Sequence, residues 1–370
     1  MALIDKVQVY SVVQQPPEYS WSPVMPEVLN TDTIVKLTDE HGHVGVGSVC
    51  TFTEYGVDKS VLESIRPIAT NLLRMQPSTP QEFWQAMQMR RPGVSNAAIA
   101  AIDIALWDLK AQQAHQPLFQ YLGGTKVSIE CYASVPILDE PNAYIQLIHE
   151  LRQTGFSIFK FHYKSIAEED IKLIDAVSRE HGNSCRFMFD AENLYDLEAA
   201  CKVADAMADR DYIWLEAPFD DNDWSTYSHL KETARIPIIP AGNSVVDYAH
   251  LKQALAANCW DILRIDAATA GGITPALKIF ELAKINNVNV ELQSWGSSLS
   301  TAANLHLALA YDNSQYFEVP VPRQDFNVMG SSNFIVNKDG FIDAPINNGI
   351  GLSVNWEEIE RQASANAEYK

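Results

Sequence analysis

The apolar and polar positions of this chain follow two different periods. Residues 1–10 alternate with the period of two that β-strands show, and residues 33–49 repeat this alternation on either side of a short turn. Residues 95–110 instead carry apolar side chains at helical spacing, and the glycines of the Leu-Gly-Gly stretch at 122–124 suit a helix stop. Residues 1–125 are therefore predicted to form an N-terminal α+β unit.

Beyond this unit, short apolar segments alternate with helical ones. The predicted strands are residues 129–137, 157–163, 186–191, 212–217, 237–242, 260–266, 288–294 and 315–319. Strict β-α alternation indicates parallel strands, and the repeat count favours a modified TIM (β/α) barrel over residues 126–325, which makes the fold class α/β. Residues 326–370 end in a helical stretch and are expected to pack back on the N-terminal unit.

The composition of the chain excludes several classes of binding partner and indicates the cellular compartment. The net charge of −20 offers no basic face for nucleic acid, and no run of about 18 apolar residues could span a membrane. The five cysteines are scattered and odd in number, a pattern typical of reduced thiols rather than of a disulfide framework or a zinc site. We therefore expect a cytoplasmic protein whose partner is a small molecule.

Three predicted strands end in an oxygen-bearing side chain. Asp190, Glu216 and Asn243 lie 26 and 27 residues apart, which matches one strand-helix-strand step of a barrel. Adjacent parallel strands end side by side, so these side chains are expected to converge. Hard oxygen ligands with space for water and a substrate oxygen suit Mg²⁺ better than Zn²⁺. The sequence thus predicts one Mg²⁺ per chain, held by two carboxylates and one uncharged amide.

Several motifs, taken in order, resemble the enolase superfamily in its mandelate racemase/muconate lactonizing enzyme branch. They are IDIALWDLK at 102–110 with LGG at 122–124, Asp190, EAP at 216–218, AGN at 241–243, RID at 264–266 with GGIT at 271–274, and FE at 317–318. The resemblance covers nearly the whole chain. It implies a capping domain over residues 1–125, whose lid loops at about 14–30 and 50–57 close over the barrel mouth, and a homo-oligomeric assembly.

The resemblance also implies a reaction type. A base removes the proton next to a carboxylate, and a metal ion stabilises the resulting enediolate. Lys160 and His162 stand where many members of the family carry Lys-x-Lys on the second strand. Lys160 would offset the charge of the bound carboxylate, and His162 would be the base, because imidazole titrates near neutral pH. A neutral His162 that only hydrogen-bonds substrate hydroxyls is the alternative.

The seventh and third strands depart from the family pattern. Gln293 aligns where some members carry the histidine of a His–Asp dyad, and glutamine cannot act as a base, although the matching Asp266 is present. Asp266 could instead pair with Lys160, hold Gln293 or supply the proton to a departing hydroxyl. A candidate base is therefore present on the second-strand side of the site only. Racemisation requires proton transfer on both faces of the substrate, so this arrangement weighs against it. Glu192 follows Asp190 where asparagine or histidine is usual, and it could protonate a leaving hydroxyl or support the metal shell.

The remaining predicted site residues lie at the eighth strand and around the barrel mouth. Glu318 could donate a proton to the substrate or support the metal ligands. Tyr19 and Trp21 in the first lid, and Trp295 after the seventh strand, could contact substrate, or could pack as lid anchors.

We expect a Mg²⁺-dependent lyase that dehydrates a sugar acid to a 2-keto-3-deoxy acid. A lactone cycloisomerase or an epimerase or racemase of the same superfamily is the first alternative. A non-catalytic barrel that kept the metal site but lost the dyad is the second.

Overall fold

The computed structural model describes residues 3–14, 19–24, 29–53, 59–89, 94–322 and 331–370. Parts of both predicted lids, including residues 15–18, 25–28 and 54–58, lie outside the described residues. So does the predicted boundary between residues 325 and 326.

The chain begins with three antiparallel strands, followed by helices. These elements are β1 (Ile4–Gln14), β2 (Leu29–Asp39), β3 (Val44–Thr53), α1 (Ser60–Met75), α2 (Pro80–Gln88), α3 (Asn96–Gln113) and α4 (Leu118–Tyr121). The predicted hairpin and the predicted helix at 95–110 are both present. Ser95 begins α3 because its side-chain oxygen accepts a hydrogen bond from the Ala98 N–H, which would otherwise lack a partner.

Eight parallel strands alternate with helices from residue 128 onward. They are β4 (Ser128–Val135), α5 (Pro141–Arg152), β5 (Ile158–Phe161), α6 (Ala167–His181), β6 (Arg186–Asp190), α7 (Leu197–Ala208), β7 (Leu215–Glu216), α8 (Trp224–Thr233), β8 (Ile238–Ile239), α9 (Tyr248–Ala256), β9 (Ile262–Ile265), α10 (Ala267–Ala270), α11 (Ile273–Ile285), β10 (Asn289–Leu292), α12 (Ser298–Ala310) and β11 (Tyr316–Pro320). The predicted α/β barrel is therefore confirmed, with strand order β8-β7-β6-β5-β4-β11-β10-β9.

The barrel is nearly closed between its outermost strands. The N–H of Asp261, next to β9, donates to the carbonyl of Ile238 in β8 at 2.9 Å, and the Asp261 carboxylate accepts from the Ile238 N–H at 2.8 Å. β7 and β8 have only two residues each because Pro218, Pro237 and Pro240 flank them and cannot donate to a ladder.

The last elements return to both parts of the molecule. They are β12 (Phe341–Asp343), α13 (Trp356–Gln362) and β13 (Ala365–Tyr369). β12 pairs antiparallel with β4, whereas β13 pairs with β1 and completes a four-stranded sheet of order β13-β1-β2-β3. Among the described residues, no helix has both the length and the apolar character that crossing a membrane requires.

Candidate active site

A cavity of about 360 Å³ opens where the barrel strands end and the β1–β3 sheet approaches them. Barrel side chains form its floor, and side chains from the first 52 residues cover one side. Its lining includes Lys160, His162, Asp190, Glu192, Asn193, Glu216, Asn243, Arg264, Gln293, Trp295, Tyr19, Trp21, Ser22, Asn30 and Phe52. Its position at the C-terminal ends of parallel strands is the usual location of an active site in a β/α barrel.

Lys160 lies at the centre of a buried charge cluster on the cavity floor. Its Nζ is 3.1 Å from Asp190, 3.0 Å from Glu216 and 3.1 Å from Glu318. Burial alone would lower the pKa of Lys160, but the three carboxylates raise it well above the usual value. Lys160 is therefore a permanent cation and not a base, and its ammonium donors are already shared among these carboxylates.

Arg264 adds a second cation to this cluster. Its Nε lies 2.8 Å from Glu216 and its guanidinium NH2 group lies 2.7 Å from Glu318. Burial would raise the pKa of Glu318, but the charges of Lys160 and Arg264 lower it to about 2. Glu318 is thus ionised at neutral pH. It is fully buried and is absent from the cavity lining, so it supports the cluster and does not face a substrate.

The two imidazole nitrogens of His162 have different partners. Nδ1 lies 2.9 Å from the carbonyl of Val135, which can only accept, so Nδ1 carries a proton. Nε2 faces the cavity, 3.3 Å from Asp190 and 3.8 Å from Glu192. Burial would lower the pKa of His162, but its hydrogen bond with Asp190 and the negative charge of Asp190 raise it. Nε2 is therefore the nitrogen that can exchange a proton with a ligand.

Glu192 stands beside His162 in a left-handed backbone conformation, with φ of 54°. The carboxylate of Asp190 accepts from its N–H at 3.0 Å, which fixes the turn. Burial, followed by the negative charge of Asp190, raises the pKa of the Glu192 side chain to about 7. His162, Asp190 and Glu192 offer donor atoms that all lie within 4.8 Å of one another.

The predicted metal-binding residues occupy two kinds of position. Asp190 and Glu216 pair directly in the β6–β7 ladder, and Glu216 pairs with Ile239. Asn243 comes four residues after Ile239 and lies on an exposed turn. It is therefore not aligned with Asp190 and Glu216 in the strand ladder. Its amide oxygen accepts a hydrogen bond from Gln293 at 2.9 Å. Pro240 ends the strand, so the regular strand spacing used in the prediction does not extend to residue 243.

The charges on the cavity floor suit a divalent cation. Asp190, Glu216, Glu318 and Glu192 bring four carboxylates to this region, against the permanent cations Lys160 and Arg264. Two negative charges are left to be balanced by protonation or by a bound cation. The available donors are mainly carboxylate and amide oxygens, which are ligands that Mg²⁺ accepts. The residues present therefore fit a magnesium ion held at Asp190.

Asp266 does not make either of the expected contacts. Its carboxylate accepts from the Ala268 N–H and from the Asn304 side-chain amide, both at 2.8 Å. Among the described residues it forms no ion pair with Lys160, and it does not line the cavity. Gln293 is bonded instead to Asn243 and to the carbonyl of Ala241. Asp266 follows the end of β9 and begins α10, so its side chain caps that helix.

Aromatic side chains close the outer part of the cavity. The rings of Trp21 and Trp295 meet edge to face with centroids 5.2 Å apart, and Phe52 meets Trp295 at 5.9 Å. The indole N–H of Trp21 donates to the carbonyl of Ser134 at 3.1 Å, which anchors this lid residue to the barrel. Tyr19 also lines the cavity and is partly exposed.

Sequence reasoning missed several residues that line this site, among them Arg264, Asn30 and Phe52. Arg264 could have been found, because it precedes Asp266 by two residues and shares its side of a predicted strand. Asn30 and Phe52 carry no such signal, since their place in the cavity depends on how the N-terminal sheet docks on the barrel.

Comparison with known proteins agrees with this architecture. Residues 13–123 match the domain family described as mandelate racemase/muconate lactonizing enzyme, N-terminal domain, and residues 143–359 match the family described as enolase C-terminal domain-like. A crystal structure from Pseudovibrio sp., described as a candidate mandelate racemase/muconate lactonizing enzyme, is 32% identical, with a TM-score of 0.90 over 99% of this chain and 98% of that one.

Curated relatives are more distant. The L-talarate/galactarate dehydratase of Salmonella typhimurium is 28% identical over 77% of this chain and 72% of its own length. The D-galactarolactone cycloisomerase of Agrobacterium fabrum is 26% identical over 78% of this chain and 81% of its own length. Because the two domain families together match well over half of the sequence, the chain belongs to the mandelate racemase/muconate lactonizing enzyme branch of the enolase superfamily.

Proposed function

We propose that this protein is a Mg²⁺-dependent lyase that dehydrates a sugar acid to a 2-keto-3-deoxy acid. The observation that carries the proposal is the position of His162. Its Nε2 faces the cavity beside two carboxylates, while its Nδ1 is tied to a backbone carbonyl. Across the cavity Gln293 offers no base, so proton transfer has an obvious partner on one side only.

In this mechanism His162 Nε2, when unprotonated, takes the proton from the carbon next to the substrate carboxylate. The C–H electron pair moves into an enediolate, and the bond to the neighbouring hydroxyl breaks. Glu192, which lines the same cavity, donates the proton that lets this hydroxyl leave as water. The resulting enol then becomes the 2-keto-3-deoxy acid when its O–H proton is lost and the adjacent carbon gains a proton.

The other charged residues hold this machinery in place. Asp190, Glu216 and Asn243 would hold Mg²⁺, and all three line the cavity. The bound ion would supply positive charge to the substrate carboxylate as the enediolate forms. Lys160 orients the Asp190 and Glu216 carboxylates and favours their ionised forms, and Arg264 does the same for Glu216 and Glu318. Burial nevertheless raises the pKa of Glu216 to about 7.

A screen with purified protein and Mg²⁺ tests the proposal. Each acid in a library of sugar acids is incubated with enzyme, and 2-keto products are detected as semicarbazones. We expect a hit that loses the mass of one water and disappears in His162→Asn. Failure of every acid to form a 2-keto product would contradict dehydration.

Isomerisation is the second candidate, favoured by the cycloisomerase relative and by aromatic rings that could pack against a cyclic acid. An isomerase would convert its substrate to a product of unchanged mass and form no new ketone.

A cytoplasmic location and a homo-oligomeric assembly are also part of the proposal. Light scattering coupled to gel filtration would report the assembly, and a monomer at micromolar concentration would contradict it.

A further inference from the structure

The charged side chains that line the cavity are concentrated at its floor. Among the described lining residues, Lys160 and Arg264 are the cations of fixed charge. Lys160 pairs with three carboxylates and Arg264 with two of the same three. Neither cation is therefore free to pair with a second carboxylate at the far end of a substrate.

Asn30 offers an uncharged polar group at the outer part of the cavity. It is fully buried and lines the cavity, and among the described residues neither its amide oxygen nor its amide nitrogen has a hydrogen-bond partner. Leaving such groups unpaired costs roughly 1–3 kcal/mol each. One ligand hydroxyl can both donate and accept, so it could satisfy either half of the amide.

The sheet holds Asn30 on the cavity side. Asn30 pairs with Phe52 in the β2–β3 ladder, and directly opposed residues project to the same face. Phe52 contacts the Trp295 ring, which also lines the cavity. The amide of Asn30 therefore lies beside the aromatic wall formed by Trp21, Phe52 and Trp295.

We propose that the substrate is a monocarboxylic acid whose uncharged, hydroxylated far end is hydrogen-bonded by Asn30 and packs against Trp21 and Trp295. This inference rests on the proposed function for the placement of its single carboxylate at the cavity floor. It distinguishes this chain from the relative named for talarate and galactarate, since both of those substrates are diacids.

Pairs of acids with the same configuration test the proposal directly. Aldonic acids and the matching aldaric acids, such as galactonate and galactarate, differ only in whether the far carbon is a hydroxymethyl or a carboxylate. Binding is followed by tryptophan fluorescence, because two tryptophans line the cavity, and turnover by 2-keto product. We expect a monoacid to bind at least about tenfold more tightly than its diacid partner, a difference of about 1.4 kcal/mol.

Binding and turnover together distinguish a failure of this inference from a failure of the proposed dehydration. Selective binding of a monoacid without turnover by any acid would contradict the proposed dehydration and leave this inference standing. Tighter binding or faster turnover of a diacid would overturn the inference while the dehydration held. Absence of binding by both classes would also overturn the inference.

Asn30→Ala gives a residue-level test, with Thr31→Val as its control. Thr31 is equally buried but projects to the other face of β2 and does not line the cavity. Asn30→Ala should raise KM for the monoacid about tenfold with little change in kcat, and should leave the melting temperature as high as before or higher, because an unpaired buried amide is removed. A KM equal to that of Thr31→Val would contradict the role of Asn30.

Discussion

Replacing Lys160 with methionine removes the central cation of the buried cluster while keeping the length of the side chain. Lys160 is 1% exposed and lies within 3.1 Å of three carboxylates. Its loss leaves Arg264 paired with Glu216 and Glu318, and leaves Asp190 without a fixed cation among the described contacts. Removing one partner of a buried ion pair typically costs about 3–5 kcal/mol. We expect Lys160→Met to lower the free energy of unfolding at pH 7 by about this amount.

The loss should depend on pH. Lys160 lowers the folded-state pKa values of Asp190, Glu216 and Glu318, so these values rise when it is removed. The folded variant then binds more protons than the folded unmodified protein, so its stability falls more steeply as pH rises. The deficit of Lys160→Met relative to the unmodified protein should therefore be smaller at pH 5.5 than at pH 7. Mg²⁺ should also recover more stability in the variant than in the unmodified protein.

Urea unfolding followed by circular dichroism, at both pH values and with and without Mg²⁺, measures these quantities. Lys164→Met is the matched control, because Lys164 lies three residues beyond the end of β5, is 44% exposed, and makes one long ion pair of 4.0 Å with Glu169. The control should change stability by no more than about 0.5 kcal/mol. Equal losses in the two variants would refute the claim that Lys160 holds the cluster together.

Three further predictions concern the base, a buried histidine and the amide ligand. His162→Asn should lower kcat by about 10²–10⁴-fold, as expected for loss of a general base, whereas the exposed His229→Asn should not; steady-state assays decide. Burial lowers the pKa of His306 to about 4, below its unfolded value of about 6.5. The unfolded chain therefore binds the proton first, and the fold should lose about 3 kcal/mol as pH falls from 6.5 to 4. In His306→Gln, urea titrations should show a smaller loss over this range, and an unchanged pH profile would contradict the assignment. Asn243→Asp adds a negative charge and should tighten Mg²⁺ binding on the order of tenfold in calorimetric titrations. An unchanged affinity would contradict the assignment of Asn243 as a ligand.

The fold followed from local patterns. Alternation of apolar strands and helices predicted all eight barrel strands, because parallel strands are buried on both faces and stand out as short apolar runs. The prediction was least accurate at β7 and β8, which are two residues long instead of six. Proline at 218, 237 and 240 removes the ladder donors there, although the chain still follows the path of a strand.

The site residues that could be predicted from the sequence are those that the local strand pattern places at the cavity. Asp190, Glu216, Lys160 and His162 lie on or just after barrel strands, so strand ends and the period of two place them at the cavity. Asp266 was expected at the site for the same reason, but it caps α10, where its carboxylate accepts a hydrogen bond from the Ala268 N–H.

Contacts between distant parts of the chain could not be predicted from spacing. Asn30 reaches the cavity only because the N-terminal sheet docks on the barrel, for example through Asp32, which accepts a hydrogen bond from Ser297 at 2.9 Å across 265 positions of sequence. No pattern along the sequence encodes that docking.

Exchange of the substrate α-proton with solvent is the most direct test of the central claim. The protein is incubated with Mg²⁺ and an aldonic acid in D₂O, and the C2 proton and the 2-keto-3-deoxy product are followed together by NMR. Our account predicts loss of the C2 proton with formation of the keto acid in the unmodified protein, and neither in His162→Asn. Dehydration that continues unchanged in His162→Asn would contradict it, as would a full panel of acids that keep their C2 protons.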